Sequence, residues 1–158
     1  MALTGMSETR EFVVTLPGQR RVDVQVGAHV VQTDQPLDNG GEDTAPSPFD
    51  LFLASIGACA GIFVQGFCAK RGIDPSGIRL VERPSFGPDG ALLDVALDLV
   101  LPEGFPERYA EALVRVVDQC SVKRAIAAKP TFTVKTVSAD TAALQPVVDE
   151  GKVSAPRF

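Results

Sequence analysis

The sequence predicts an α+β domain, on three observations. Short segments of alternating apolar and polar residues lie on both sides of the middle of the chain. Between them runs an uncharged stretch, residues 51–69, which is too long for a strand. Beyond the second group of strands, apolar residues recur at helical spacing from Phe105 to Val116. The resulting order, βββ-α-ββ-α-α-β, lacks the strict strand–helix alternation that builds a parallel sheet.

The elements follow in turn. A first strand over residues 10–16 is expected to end at Pro17-Gly18, where proline presets φ and glycine supplies a positive one. Residues 21–26 alternate, with Val22, Val24 and Val26 on one face and Asp23 and Gln25 on the other. Gly27-Ala28 suits a two-residue hairpin turn, and residues 29–33 return as a third strand, completing a β-meander. Residues 34–47 form a polar loop containing Pro36, Asn39-Gly40-Gly41 and Pro46. Ser47 then fits an N-cap, Pro48 the first helical position and Asp50 the closing acid of a capping box. The central helix is therefore predicted from Pro48 to about Arg71, with Gly72 as its C-terminal cap. Residues 78–85 and 91–101 read as a hairpin around Gly87-Pro88-Asp89-Gly90. In the second strand Leu93, Val95, Leu97, Leu99 and Leu101 share a face. A helix is expected over about 106–119 and a shorter one over 121–128, and residues 131–137, rich in Thr and Val, read as the final strand. The tail, 138–158, has weak periodicity and is expected to be poorly ordered. No repeat or linker divides the sequence, so 1–158 is read as a single domain.

Composition narrows the function. A chain of 158 residues can bury a full core without a disulfide or metal staple. Its net charge of −5 argues against nucleic acid and anionic membrane as partners, because binding phosphate requires clustered Lys and Arg. The N-terminus has no basic segment followed by an apolar one, so a cytoplasmic protein is expected. The 51–69 stretch has the length of a membrane span. It carries Ser55 and Gln65, is rich in Ala and Gly, and is flanked by strands, so a buried soluble helix is expected instead. Such a helix is apolar nearly all round and must be covered all round. One sheet cannot do this, and a homodimer is predicted, with Ala54, Gly57, Ala58, Ala60 and Gly61 allowing a second helix to approach.

Three cysteines in such a chain do not make a secreted disulfide framework. There is no Cys-x-x-Cys and only one histidine, His29, placed on a strand surface, so no metal site and no cofactor are expected. No phosphate-binding or dinucleotide-binding glycine motif occurs. Cys68 follows Cys59 by nine positions, which puts it on the opposite helix face, roughly 13 Å along the axis, out of disulfide reach. Cys120 falls at the junction of the two later helices. There the helix dipole, with Lys123 and Arg124 close behind, is expected to make it the more acidic thiol. Buried, inert cysteines are the alternative to reactive ones.

The segment Ala45-Pro46-Ser47-Pro48-Phe49-Asp50-Leu51-Phe52-Leu53-Ala54-Ser55-Ile56-Gly57-Ala58-Cys59, after Gly40-Gly41, and the later Val117-Asp118-Gln119-Cys120-Ser121-Val122-Lys123-Arg124, resemble the OsmC/Ohr family of osmotically induced and organic hydroperoxide resistance proteins. The resemblance runs from the first strands to Val137. It implies an OsmC-like fold, an intertwined homodimer with the two central helices packed together. It also implies a thiol peroxidase: Cys59 attacks the hydroperoxide, Cys120 resolves the product as a disulfide, and a dithiol reductant such as a lipoyl protein reopens it. Cys68 matches neither motif. Phe52, Ile56, Ile62 and Phe63 would give an apolar binding surface for an organic hydroperoxide. Two departures stand out. Phe49 occupies the position where the family places a Glu that holds an Arg over the thiol, and the nearest acid, Asp50, is a capping residue facing away from Cys59. The helper arginine would be Arg20 or Arg21, beside the first turn, reaching the site from the partner subunit. A non-catalytic OsmC-like stress protein or small-ligand-binding dimer is the alternative function.

Overall fold

A computed structural model describes residues 10–138. The expectations for the N-terminus and for 139–158 fall outside these residues. The described backbone groups into two compact units: one holds residues 10–48 together with 133–138, the other Phe49–Phe132.

In the first unit, β1 (Val13–Gly18), β2 (Arg21–Val26) and β3 (His29–Thr33) form the predicted antiparallel meander in the order β1-β2-β3. β2 and β3 match their predicted bounds, and Val26 pairs with His29 around the Gly27-Ala28 turn. Gly27 takes a φ of 57°, which glycine adopts without steric penalty. The first turn differs from expectation. β1 continues through Pro17-Gly18 to pair Gly18 with Arg21, and the chain reverses at Gln19 and Arg20, with φ of 55° and 70°. Two consecutive positive φ values are what a tight hairpin's handedness demands. The turn thus falls on the two residues between the paired ends, whatever their side chains.

The loop after β3 is organised by one carboxylate. Asp34 is fully buried and accepts from the backbone N–H of Gln35 (2.8 Å), Glu42 (3.3 Å) and Thr44 (3.0 Å), and from the Thr44 hydroxyl (2.8 Å). These bonds hold its pKa down at about 2, against the smaller opposing effect of burial. Gly40 is left-handed at φ 79°, and a side chain at Gly41 would collide with the Gln35 carbonyl.

α1 (Pro48–Ala69), which belongs to the second unit from Phe49 onward, begins at the predicted proline and ends two residues before the expected Arg71. Its C-terminus closes as predicted on Gly72 (φ 63°), with the N–H of Ile73 reaching the Cys68 carbonyl at 3.0 Å and that of Gly72 reaching Ala69 at 3.4 Å. β4 (Arg79–Phe86) and β5 (Leu92–Val100) form the antiparallel hairpin, followed by a 3₁₀ turn at Glu107–Tyr109, α2 (Ala110–Val117) and α3 (Ser121–Ala127). The core is built by Ala60, Val64, Phe67 and Cys68 of α1 with Leu113 and Val117 of α2, packed against Leu80, Leu97, Leu99 and Leu101. Leu93 does not join that face. It is exposed beside the hairpin turn, past the point where the register shifts at Ser85/Phe86. At the end of α1, Arg71 lies 3.7 Å over the Phe67 ring, which meets Tyr109 edge-on.

Two expectations need correcting. Residues 131–137 are not a strand: they have no regular structure, and Phe132 and Val134 are 90% and 97% exposed. Strand composition makes a strand only where a neighbour accepts its hydrogen bonds, and none pairs with this segment among the described residues. Gly57 and Ala60 do not form an open surface for another helix. Ala60 is in the core, and Gly57 faces the Glu82 carboxylate of β4, which any Cβ at 57 would approach to 2.6 Å. The other Glu82 oxygen is buried without a hydrogen-bond partner among the described residues.

Candidate functional site: a cysteine pair between α1 and α3

Cys59 sits in mid-α1, half-buried, with its side chain held by a continuous helical backbone. Cys120 is the N-cap of α3, fully buried, with non-helical dihedrals (φ −49°, ψ 125°) between two helices. Its carbonyl accepts the first α3 hydrogen bond, from Arg124 N–H at 3.1 Å. Its thiol donates to the Ile56 carbonyl at 3.8 Å, one turn before Cys59, and lies close enough to the Cys59 sulfur to influence its ionisation. The structure therefore brings together the two cysteines that the motifs paired across the sequence.

The two thiols ionise in opposite directions. Burial pushes the Cys59 thiol up. The Cys120 thiol, the backbone N–H groups of Val122 and Ser121 and the charge of Arg124 outweigh that and hold it below its ordinary value. Burial pushes Cys120 up. The N–H groups of Lys123 and Val122 oppose this, while its bond to Cys59 and the charge there add to it. The expectation that Cys120 is the more acidic thiol is thus overturned. The first amides of α3 surround the junction, but Cys120 is fully enclosed and Cys59 only half-buried, so the charge settles on Cys59. Of the two cations expected to act on Cys120, Lys123 is engaged by Asp118 at 2.8 Å.

The remaining candidates are distributed as follows. Phe52, Ile56 and Phe63 lie seven and three residues before and four after Cys59, on its side of α1, and Ile62 borders that side. Ile56 is buried beneath Cys120, Phe63 is half-buried, and Phe52 and Ile62 are exposed. Cys68 is in the core, its thiol pushed up by burial, as an inert packing residue should be. Asp50 is exposed in the first turn of α1, nine residues before Cys59. Arg20 and Arg21 belong to the first unit, Arg20 exposed at the strained turn and Arg21 half-buried at the start of β2. His29 is exposed on β3, as expected. Among the described residues no cluster of His, Cys, Asp or Glu is arranged to hold a metal ion. Sequence reasoning missed the amides of Ser121 and Val122 as partners of Cys59. The signal was present in the helix start after Cys120, but it was assigned to the wrong sulfur.

Fold and site together define an α+β protein with a buried thiol at a helix joint close to a more acidic thiol on a central helix. Residues 40–135, more than half of the chain, match the OsmC-like protein family model, and the chain belongs to that family. No curated protein matches the sequence. Among solved structures, an osmotic stress-induced and detoxification response protein of Psychrobacter arcticus 273-4 is 19% identical, with 77% of this chain and 90% of that one covered and a TM-score of 0.65. An organic hydroperoxide resistance protein, OsmC, of Legionella pneumophila is 25% identical (76% and 91% covered, TM-score 0.53). One from Elizabethkingia anophelis is 22% identical (77% and 90% covered, TM-score 0.55). These similarities establish the OsmC/Ohr fold.

Proposed function

We propose that this protein reduces organic hydroperoxides through Cys59 and Cys120, as a cytoplasmic homodimer that needs no bound cofactor. The observation that carries this reading is the near-contact of two thiols of unequal acidity, the acidic one on the more accessible side. The Cys59 thiolate attacks the distal oxygen of the hydroperoxide. The O–O bond breaks, the alkoxide takes a proton from solvent and leaves as the alcohol, and Cys59 becomes a sulfenic acid. The Cys120 sulfur then attacks the Cys59 sulfur, forming a disulfide, and the departing hydroxide leaves with the thiol proton as water. An external dithiol, of the lipoyl type, reduces the disulfide. Phe52, Ile62 and Phe63, around Cys59, favour an apolar R group over hydrogen peroxide. Arg20 or Arg21 of a second copy is proposed as a helper arginine, and Asp50 as no more than a cap of α1.

Mixing the reduced protein with one equivalent of cumene hydroperoxide tests this. Two of the three thiols should vanish together, and a Cys59–Cys120 peptide should be recovered by mass spectrometry. Loss of one thiol, or of none, overturns the reading. Phe49, in the position where the resemblance calls for Glu, favours a second reading: a non-catalytic small-ligand-binding dimer whose thiols line an apolar cleft. That protein would alkylate slowly at both cysteines at neutral pH.

A further inference from the structure

The thiol pair has a cation whose place is set by the fold. Arg124 follows Cys120 by four residues and Ser121 by three, so all three project from one side of the first turn of α3. That turn is docked on α1 at Ile56 through the Cys120 thiol (3.8 Å). The Arg124 guanidinium donates to the Ser121 hydroxyl at 3.2 Å, which directs it back toward the start of the helix. It makes no ion pair among the described residues, whereas its neighbour Lys123 is withdrawn by Asp118. Other charges around Cys59 are few. α1 has none between Asp50 and Lys70, and the Glu82 carboxylate of β4 meets α1 at Gly57, on the side turned away from Cys59. Among the described residues the remaining titratable group facing Cys59 is Cys120.

We propose that Arg124, tethered to Ser121, is the positioning residue that supplies positive charge to Cys59 in this chain. It does so from the same subunit and the same helix start that carries Cys120. Residue Phe49, which can hold no arginine, is then no obstacle to an active thiol. This assignment rests on the thiol-pair reading above but not on turnover of any peroxide.

The test is the pH profile of Cys59 alkylation by iodoacetamide, followed by peptide mass spectrometry so that Cys68 and Cys120 are counted separately. Arg124 is exposed, so Arg124→Gln should fold, and a melting curve verifies that it does. Its Cys59 midpoint should rise by less than about one pH unit, because the guanidinium is exposed and partly screened. Arg124→Lys should retain most of the lowering. In the unaltered protein, raising ionic strength should move the midpoint up, because an exposed cation is screened while the Ser121 and Val122 amides are not. Superimposable wild-type and Arg124→Gln profiles overturn the assignment, as does an Arg124→Lys profile that moves as far as Arg124→Gln or a midpoint insensitive to salt. A protein that reduces no hydroperoxide but shows these shifts loses only the proposed activity. One that reduces hydroperoxide without them loses only the role of Arg124.

Discussion

Cys59 and Cys120 carry the same functional group, and their surroundings set them apart. Cys120 is fully enclosed, while Cys59 is half-exposed and its thiolate is favoured by the neighbouring Cys120 thiol and two backbone amides. Cys120→Ala should therefore raise the Cys59 alkylation midpoint by about one pH unit, the worth of a hydrogen bond to a charged group. It should also leave a trappable sulfenic acid after peroxide treatment, and dimedone labelling of Cys59 checks this. Asp34 gives a second prediction at this scale. Its folded pKa of about 2 lies below the unfolded value of about 4, so its contribution to stability is complete above pH 4 and disappears as pH falls through 2. Asp34→Asn should lower the melting temperature at pH 7, and the difference from wild type should close by pH 2. Arg20 holds a left-handed backbone that glycine adopts freely, so Arg20→Gly should stabilise the chain by about 1 kcal/mol in urea unfolding.

At the scale of elements, local signals were legible where the chain decides its own conformation. Pro48 opened α1 and Gly72 closed it through left-handed geometry. β2, β3 and their Gly27-Ala28 turn have the expected bounds, because alternation and turn chemistry agree there. Failures came where a distant partner decides. Pro17-Gly18 looked like a turn, yet pairing carried the strand past it. Residues 131–137 have strand composition and no strand to pair with. In the site, helix spacing separated Cys59 from Cys68, and motifs joined Cys59 to Cys120. Which sulfur the α3 amides would serve depended on how two helices dock, and no sequence period encodes that. Packing between α1 and α2 meets at Leu113, fully buried against the α1 stripe. Leu113→Ala should cost about 2–5 kcal/mol in denaturant unfolding and should loosen the base on which the Cys120 joint rests.

For the whole molecule, one side of α1 is buried within the chain while Phe49, Phe52 and Ile62 remain exposed on others. α1 is also the one helix among the described residues that is long and apolar enough to cross a membrane. Covering those faces with a second copy is the proposed solution, and light scattering on the purified protein should return twice the chain mass at micromolar concentration. Phe49→Glu combined with Ile62→Glu should shift that mass toward the monomer. The position of Cys120 has a mechanical consequence for such a molecule. One sulfur is fastened to a rod of six turns, the other to a pivot with non-helical dihedrals between two short rods. When the two sulfurs close to bonding distance, the rod stays still and the pivot yields. Oxidation would then be felt as a tilt of α3 rather than a change in α1, so amide exchange at Ser121–Ala127 would report it while the middle of α1 stayed silent.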